Sequence, residues 1–389
     1  MLKTVRFTAA IGAAALVGAA VTTTATASAH DDGSHRGGTA AHSDHGRHRS
    51  PLDRIFVIML ENHSKSSVIG DPNAPFMTKL ADHYQMASMY YGVTHPSMPN
   101  YMASIAGDNF GIQDDNDQNV VNLDRLNLVD QLERHHVRWG AYMDSLPANK
   151  LDRFWPDSTN PLYAKKHNAF VLFDDVKNSP SRMSHVRDYS RLGHDLNAPK
   201  PPSFVWISPN QCHDMHGGVY GAVPGHPEAP CPYGSTKDDA NDSSLKQKAD
   251  AFVKHAVGTI VSSKAWTKRS AIVIVTDEND YTGTDDSAGG NAATGGWESA
   301  AGCCDSPYVG AGDPRVSASW PGGTYGGGLI PAIVVSPQAP RHLVVNQKYN
   351  HYSLLTTIED NWGMAHLGHA GDWINGVHAM WPVFLGSRR

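Results

Sequence analysis

Four short stretches of this chain are almost continuously apolar: residues 54–60, 204–207, 271–275 and 330–335. Runs of that length without alternation fit strands buried on both faces, as in a parallel sheet. Helical spacing takes over between them. From Leu245 to Val261, the residues Ala249, Phe252, Val253, Ala256, Val257 and Ile260 share one face, and a second helical pattern runs from Tyr352 to Trp362. Strands alternating with helices predict an α/β fold with a mainly parallel central sheet. Two stretches break the pattern. Residues 111–190 mix short helical pieces with loops and read as an insertion over the sheet. Residues 281–328 are rich in Gly, Ser and Asp and read as a lid or binding loop.

The N-terminus adds a compartment. Lys3 and Arg6 precede an apolar stretch from Ala9 to Val21, and small residues lead to Ala27-Ser28-Ala29. This is the layout of a secretory signal peptide, with cleavage near Ala29 and a secreted, extracellular product. Residues 30–50 carry five histidines and almost no apolar side chain, the composition of a disordered linker. Those histidines offer weak metal binding or simply a solvated tail. The expected organisation is residues 1–29 as leader, 30–50 as His-rich linker and 51–389 as the catalytic domain. No later segment is long and apolar enough for stable membrane insertion. A formal net charge of −6 gives no electrostatic footprint for nucleic acid. Nothing in the sequence points to a protein partner. The four cysteines of an exported chain suggest disulfides. Cys212–Cys231 is the favoured pair, and a bridge between adjacent Cys303 and Cys304 is disfavoured.

Ligands of open α/β sheets bind beyond the carboxyl ends of the strands. The first apolar run ends in Glu61-Asn62, and the run from Ala271 ends in Asp277-Glu278-Asn279-Asp280. The run ending at Ile207 leads to Asp214-Met215-His216. The run ending at Val335 leads, after a loop, to His351. Acids, amides and imidazoles thus collect at one edge. Glu61, Asn62, Asp277 and Glu278 form a hard-oxygen set suited to a divalent cation: Mg²⁺, Mn²⁺, Ca²⁺ or Zn²⁺. The competing reading makes Glu61 and Asp277 helix caps.

A further segment, 94–101, reads Thr-His-Pro-Ser-Met-Pro-Asn-Tyr. It follows an extended stretch, Met86–Val93, and precedes a helical run ending near Gly107. Ser97 then sits at a helix N-terminus, where free amides and the helix dipole favour an anion and a nucleophile beside a metal is activated. Ser is also a favoured N-cap, and the octapeptide by itself favours that capping role. His95, His167, His216 and His351 fall near the same edge among 22 histidines. They are open to proton donation or phosphate contact. Asp115-Asn116-Asp117-Gln118-Asn119 resembles the start of a calcium loop, but Val120 and Leu126 occupy the places of its Gly and Glu. Nucleophile-elbow, zincin, P-loop and dinucleotide signatures are absent.

Taken in order, six segments resemble the bacterial phosphoesterase family of phospholipases C and acid phosphatases, within the alkaline-phosphatase-like superfamily. They are 61–64 with 68–70, 94–101, 163–168, 209–216, 277–280 and 351–355. The likeness is nearest to SapM-type secreted acid phosphatases. It implies an α/β, alkaline-phosphatase-like three-layer sandwich with a mainly parallel central sheet. It also implies roles: Ser97 as nucleophile; Glu61, Asn62, Asp277 and Glu278 as metal ligands; Asp214, His216 and His351 around phosphate or a second cation. His95, Asn100 and His167 complete the candidate substrate contacts. His63-Ser64 departs from the Arg-Ser often found after Glu-Asn, and segment 281–328 interrupts the usual spacing.

The expected activity is hydrolysis of phosphate monoesters through a phosphoserine on Ser97 with metal assistance. The substrate is a phosphorylated small molecule or a lipid head group. A phospholipase C-type phosphodiesterase or a phosphatidylinositol-phosphate phosphatase is the near alternative. A non-catalytic phosphate- or metal-binding protein and a Ser-His-Asp esterase are alternatives of other classes.

Overall fold

The computed structural model describes residues 50–151, 154–234, 239–279, 300–316 and 320–386. Residues 1–49, Asp280 and residues 281–299 and 317–319 of the Gly-rich segment lie outside the described residues. All four apolar runs are strands or parts of strands. In chain order the strands are β1 (Arg54–Leu60), β2 (Gln85–Tyr91), β3 (Trp139–Met143), β4 (Val186–Asp188), β5 (Phe204–Ser208) and β6 (Ser270–Thr276). Then follow β7 (Tyr308–Val309), β8 (Gly323–Thr324), β9 (Leu329–Ile330), β10 (Ala332–Val335) and β11 (Leu343–Asn350). β7 and β8 pair as a separate ribbon, while the rest form one sheet in the order β11-β2-β10-β6-β1-β5-β3-β4, with β9 beside β2.

Alternate residues of the central strands feed two different cores, which is why the runs lack alternation. Ile55, Val57 and Met59 pack with Trp206 and Val273 against the helices Ser97–Ala106 and His351–Trp362. Phe56, Ile58 and Leu60 pack with Ile207 and Ile274 against the helices Pro75–His83 and Ala240–Ser262. The expected three-layer α/β architecture is therefore present. The apolar face foreseen for the long helix is buried in the second core. That helix starts earlier than its apolar pattern, at Ala240, because its first turns are buried through charge. Lys246 Nζ meets Asp71 at 2.5 Å and Asp242 at 2.8 Å, and Asp242 meets His63 at 2.9 Å.

Three expectations are corrected. Residues 111–190 are not an insertion over the sheet, for they contain β3 and β4, which extend it by parallel pairing with β5. The run at 330–335 is not parallel. β10 lies antiparallel to both β6 and β2, so its start, not its end, reaches the edge where β1 and β6 finish. His351 arrives there from β11, parallel to β2, which the sequence pattern did not show. Finally, Cys303 and Cys304 are bridged to each other, alongside the expected Cys212–Cys231 bond.

One buried acid makes the fold pH-sensitive. Glu359 is fully buried on the His351 helix, and its Oε1 accepts from Leu367 N at 2.9 Å. Burial, with Asp360 adding to it, pushes its pKa up to about 9. The folded state thus holds a proton that the unfolded chain releases above its ordinary value of 4.5. This group's contribution is full below that value and is lost as pH rises through about 9. Glu359→Gln keeps the Leu367 bond without the titration. Urea midpoints measured from acid to alkaline pH are expected to fall less steeply in the variant; an unchanged slope refutes the assignment.

Candidate functional site

The site forms where strand ends converge. Glu61 follows β1, and its N–H donates to the Asp214 carbonyl at 2.7 Å. Asp277 follows β6, and its N–H donates to the Leu60 carbonyl at 3.0 Å. These bonds continue the parallel pairing past the sheet and fix Glu61, Asp214 and Asp277 side by side. Asn62 takes a left-handed backbone (φ 48°), and its N–H donates to Asp277 Oδ1 at 3.1 Å. After β2 the chain passes Gly92, where a Cβ would lie 2.8 Å from the Asp277 carbonyl oxygen and 2.9 Å from Gly327 Cα. Only glycine permits that approach.

The helix Ser97–Ala106 has Pro96 at its N-cap, so Ser97 is its first residue and does not cap it. Its hydroxyl instead lies 3.0 Å from Glu61 Oε2 and 3.2 Å from Glu278 Oε1. A single proton serves one carboxylate at a time. Glu278 is held from behind by a hydrogen bond between its Oε2 and His95 Nδ1.

Beside Ser97 lies a group of buried donor atoms without hydrogen-bond partners: Glu61 Oε1, Asn62 Oδ1, His167 Nε2, Asp214 Oδ2 and Asp277 Oδ2. Glu61 Oε1 and His167 Nε2 face each other at 3.2 Å without hydrogen-bond geometry, and His167 Nδ1 is 3.5 Å from Asp214 Oδ2. Glu61, His167 and His216 can each aim one ligand atom within 4.8 Å of the others. Orphaned oxygens and imidazole nitrogens facing one another are costly unless something joins them. The donor set, carboxylates with an amide oxygen and imidazoles, fits a divalent cation.

Electrostatics agree. Burial first, then the charges of neighbouring acids, holds Glu61 and Asp277 well above the usual carboxylate range. Burial likewise raises Asp214, and Asp277 adds to it against the opposing His216 N–H bond. Burial raises Glu278 too, with His95 working against the shift. His167 is held well below the imidazole range by burial and then Lys166, and burial brings His216 down to about 3. Neutral imidazoles keep a lone pair for a ligand.

Two sequence candidates face elsewhere. Asn100 is consumed by the loop before its own helix: Oδ1 accepts from Val93 N and Thr94 N at 2.9 and 3.1 Å, while Nδ2 donates to Thr94 O and Pro96 O at 2.7 and 3.1 Å. It shapes the Ser97 turn. His351 bonds Asp277 O through Nε2 at 2.6 Å and Tyr90 OH through Nδ1 at 3.1 Å, so it braces the backbone of an acid. Burial brings its pKa down to about 4.

Ser97, Glu278, Asn62 and His216 open onto a cleft of about 290 Å³. Its wall also includes residues outside the candidate site set: Asp115, Lys166, Trp155, Tyr233, His63 and Asp242. Lys166 lies within a recognised segment, yet its burial, 2.7 Å from Asp115, shows only in three dimensions. Burial works against its charge, but Asp115, then Glu61, leave its pKa raised.

With this geometry in view, the relatives are informative. A "Probable acid phosphatase" of Kluyveromyces lactis is 24% identical over 82% of this chain and 60% of its own length. A "Phosphatidylinositol-3-phosphatase" of Mycobacterium tuberculosis is 32% identical over 42% of this chain and 52% of its own length. The chain thus spans about 60% of the length of that Kluyveromyces relative. Among solved structures, the lipoteichoic acid synthase LtaP of Listeria monocytogenes superposes with a TM-score of 0.50 at 12% identity, covering 86% of this chain and 78% of that one. That likeness is one of fold. The phosphoesterase family model matches residues 70–365, from the loop after Glu61-Asn62 past His351. The chain belongs to the phosphoesterase family.

Proposed function

We propose that the chain is a phosphoesterase that passes a phosphoryl group through Ser97, acting on phosphate monoesters. The observation that carries this reading is the Ser97 hydroxyl set against Glu61 and Glu278 beside five unpartnered buried ligand atoms. A Ser-His-Asp esterase would set an imidazole where Ser97 meets carboxylates.

In the proposed reaction Ser97 Oγ attacks phosphorus and its proton passes to Glu278 Oε1, the oxygen it already faces. The ester P–O bond breaks, and the leaving oxygen is protonated by solvent. Water, giving up a proton to solvent, then attacks the phosphoserine; inorganic phosphate leaves and Ser97 Oγ recovers its proton from Glu278. His95 keeps the second oxygen of Glu278 occupied, so the first stays turned to Ser97. Glu61, Asn62, His167, Asp214 and Asp277 would hold the divalent cation, which supplies charge stabilisation for the transferring group and lowers the serine hydroxyl's pKa. His351 and Asn100 act at one remove, by fixing Asp277 and the turn before Ser97.

A cleft of about 290 Å³ lies at the lower end of ligand-pocket sizes, which supports a phosphate with a compact leaving group. The relatives' names, acid phosphatase and phosphatidylinositol-3-phosphatase, point to the same class of ester. Export by the leader at residues 1–29 belongs to this reading. Among the described residues no helix is long and apolar enough to cross a membrane.

Purified protein is expected to hydrolyse p-nitrophenyl phosphate much faster than bis(p-nitrophenyl) phosphate; the reverse order would favour the phosphodiesterase reading. Ser97→Ala is expected to lower kcat by at least about a thousandfold with the fold intact by circular dichroism. Full activity in that variant removes Ser97 from the reaction. Exhaustive chelation is expected to abolish turnover, and one divalent cation added back to restore it. Turnover indifferent to chelator would sink the metal assignment, and carboxyl-ester hydrolysis surviving chelation would mark an esterase.

A further inference from the structure

Asp115 stands in the cleft without a part in the reaction above. It comes from the acidic stretch whose spacing does not suit calcium. Its Oδ2 accepts from Lys166 Nζ at 2.7 Å, and its Oδ1 accepts from the backbone N–H of Met98 at 2.9 Å. Met98 is the second residue of the Ser97 helix, so that N–H has no partner within the helix and lies at its positive end. The Lys166 side chain is 3% exposed, and its ammonium sits 4.4 Å from the centre of the Trp155 ring. Asp115, Lys166, Trp155 and Ser97 all line the same cleft.

A helix amide next to the nucleophile and a buried ammonium are the groups that bind phosphoryl oxygens elsewhere. Here one carboxylate spans both of them. A carboxylate and a phosphoryl group each present two anionic oxygens a short way apart, so the same donors suit either. Lys166 is also the one Lys or Arg on the cleft wall among the described residues. A phosphate beside Ser97 therefore meets its cationic side chain already engaged by an internal anion.

We infer that Asp115 is an internal stand-in for the phosphoryl group. It holds Lys166 and the Met98 amide while the cleft is empty and yields them to the phosphate of substrate or product. Lys166 and the Met98 N–H are then phosphate contacts, and Asp115 is a competitor that weakens the hold on the product. This rests on the phosphoesterase reading of Ser97. The rival picture makes Asp115 a prop that aims Lys166, and the two differ in sign. Removing a competitor tightens phosphate binding, whereas removing a prop loosens it.

The test is inorganic phosphate binding by calorimetry in the Ser97→Ala background, with phosphate inhibition of p-nitrophenyl phosphate turnover measured in parallel on the Ser97 enzyme. Asp115→Asn is expected to tighten phosphate about tenfold and Lys166→Gln to weaken it about tenfold. In the Lys166→Gln background, Asp115→Asn is expected to change affinity less than about threefold, because the contested donor is gone. Weaker or unchanged binding in Asp115→Asn overturns the inference. So does tightening that persists in full without Lys166, which would mark a general field effect. Should Asp115→Asn lose its cooperative thermal transition, Lys166→Gln and Lys166→Arg carry the test, and unaltered affinity in Lys166→Gln overturns the inference. Calorimetry needs no turnover. A chain that binds phosphate with this pattern yet hydrolyses no ester would refute the proposed function and leave the stand-in intact.

Discussion

Four carboxyl groups buried side by side set the terms for the rest of this molecule. Glu61, Asp214, Asp277 and Glu278 are each at most 1% exposed; burial raises the proton affinity of all four, and neighbouring acids add to it at Glu61 and Asp277, while His95 works against it at Glu278. Isolated carboxylates are not left in such a place without compensation. His95 answers Glu278 and Lys166 answers Asp115, but the facing atoms of Glu61, Asp214 and Asp277 have no hydrogen-bond partner. Their donor set fits a cation, and in the reading proposed above that fit connects the fold to its chemistry.

Holding repelling groups together requires rigid backbone. The apolar strands supply it, since β1, β5 and β6 are packed on both faces in parallel register, and β1 and β6 stay paired up to the residue before Glu61 and Asp277. Beyond the sheet the bracing becomes polar. The Asp277 carbonyl receives His351, and Asn279 N–H donates to the Gly327 carbonyl at 2.8 Å. Asn350, which caps the His351 helix, donates to the carbonyls of Cys303 and Cys304 at 3.2 and 3.0 Å. The bridged cysteine pair is thereby tied to the helix that carries His351. Buried polar residues with no direct part in the reaction are the means by which a sheet edge becomes a fixed constellation.

Much of the frame was legible in the sequence because burial writes itself into composition. A strand covered on both faces must be apolar throughout, and a helix on a sheet must show a stripe, so β1, β5, β6 and the long helix stood out. The positions of Glu61, Asp214 and Asp277 followed from the rule that ligands gather at strand ends. What stayed hidden was partly exposed or polar. β11 alternates half-buried and exposed residues and was not seen as a strand. The long helix begins among charges buried by ion pairs, which no hydrophobic pattern reports. The reversed direction of β10 leaves no mark, since an apolar run reads alike in either orientation. Adjacent cysteines were set aside as a bridge for want of knowledge of the backbone between them.

The sequence by itself determined the fold class, the edge where chemistry gathers and the kinds of groups found there, because these depend on residue type and local order. Only the tertiary structure decided which of them face one another. It turned Ser97 from a possible cap into a hydroxyl between two carboxylates. It moved Asn100 and His351 from the cleft into its supports, and it joined Asp115 to Lys166 across 51 positions of chain. The reason is geometric. Side-chain partnership depends on distances of about 3 Å between strands and loops remote in sequence, and such distances are fixed only when the whole core has packed.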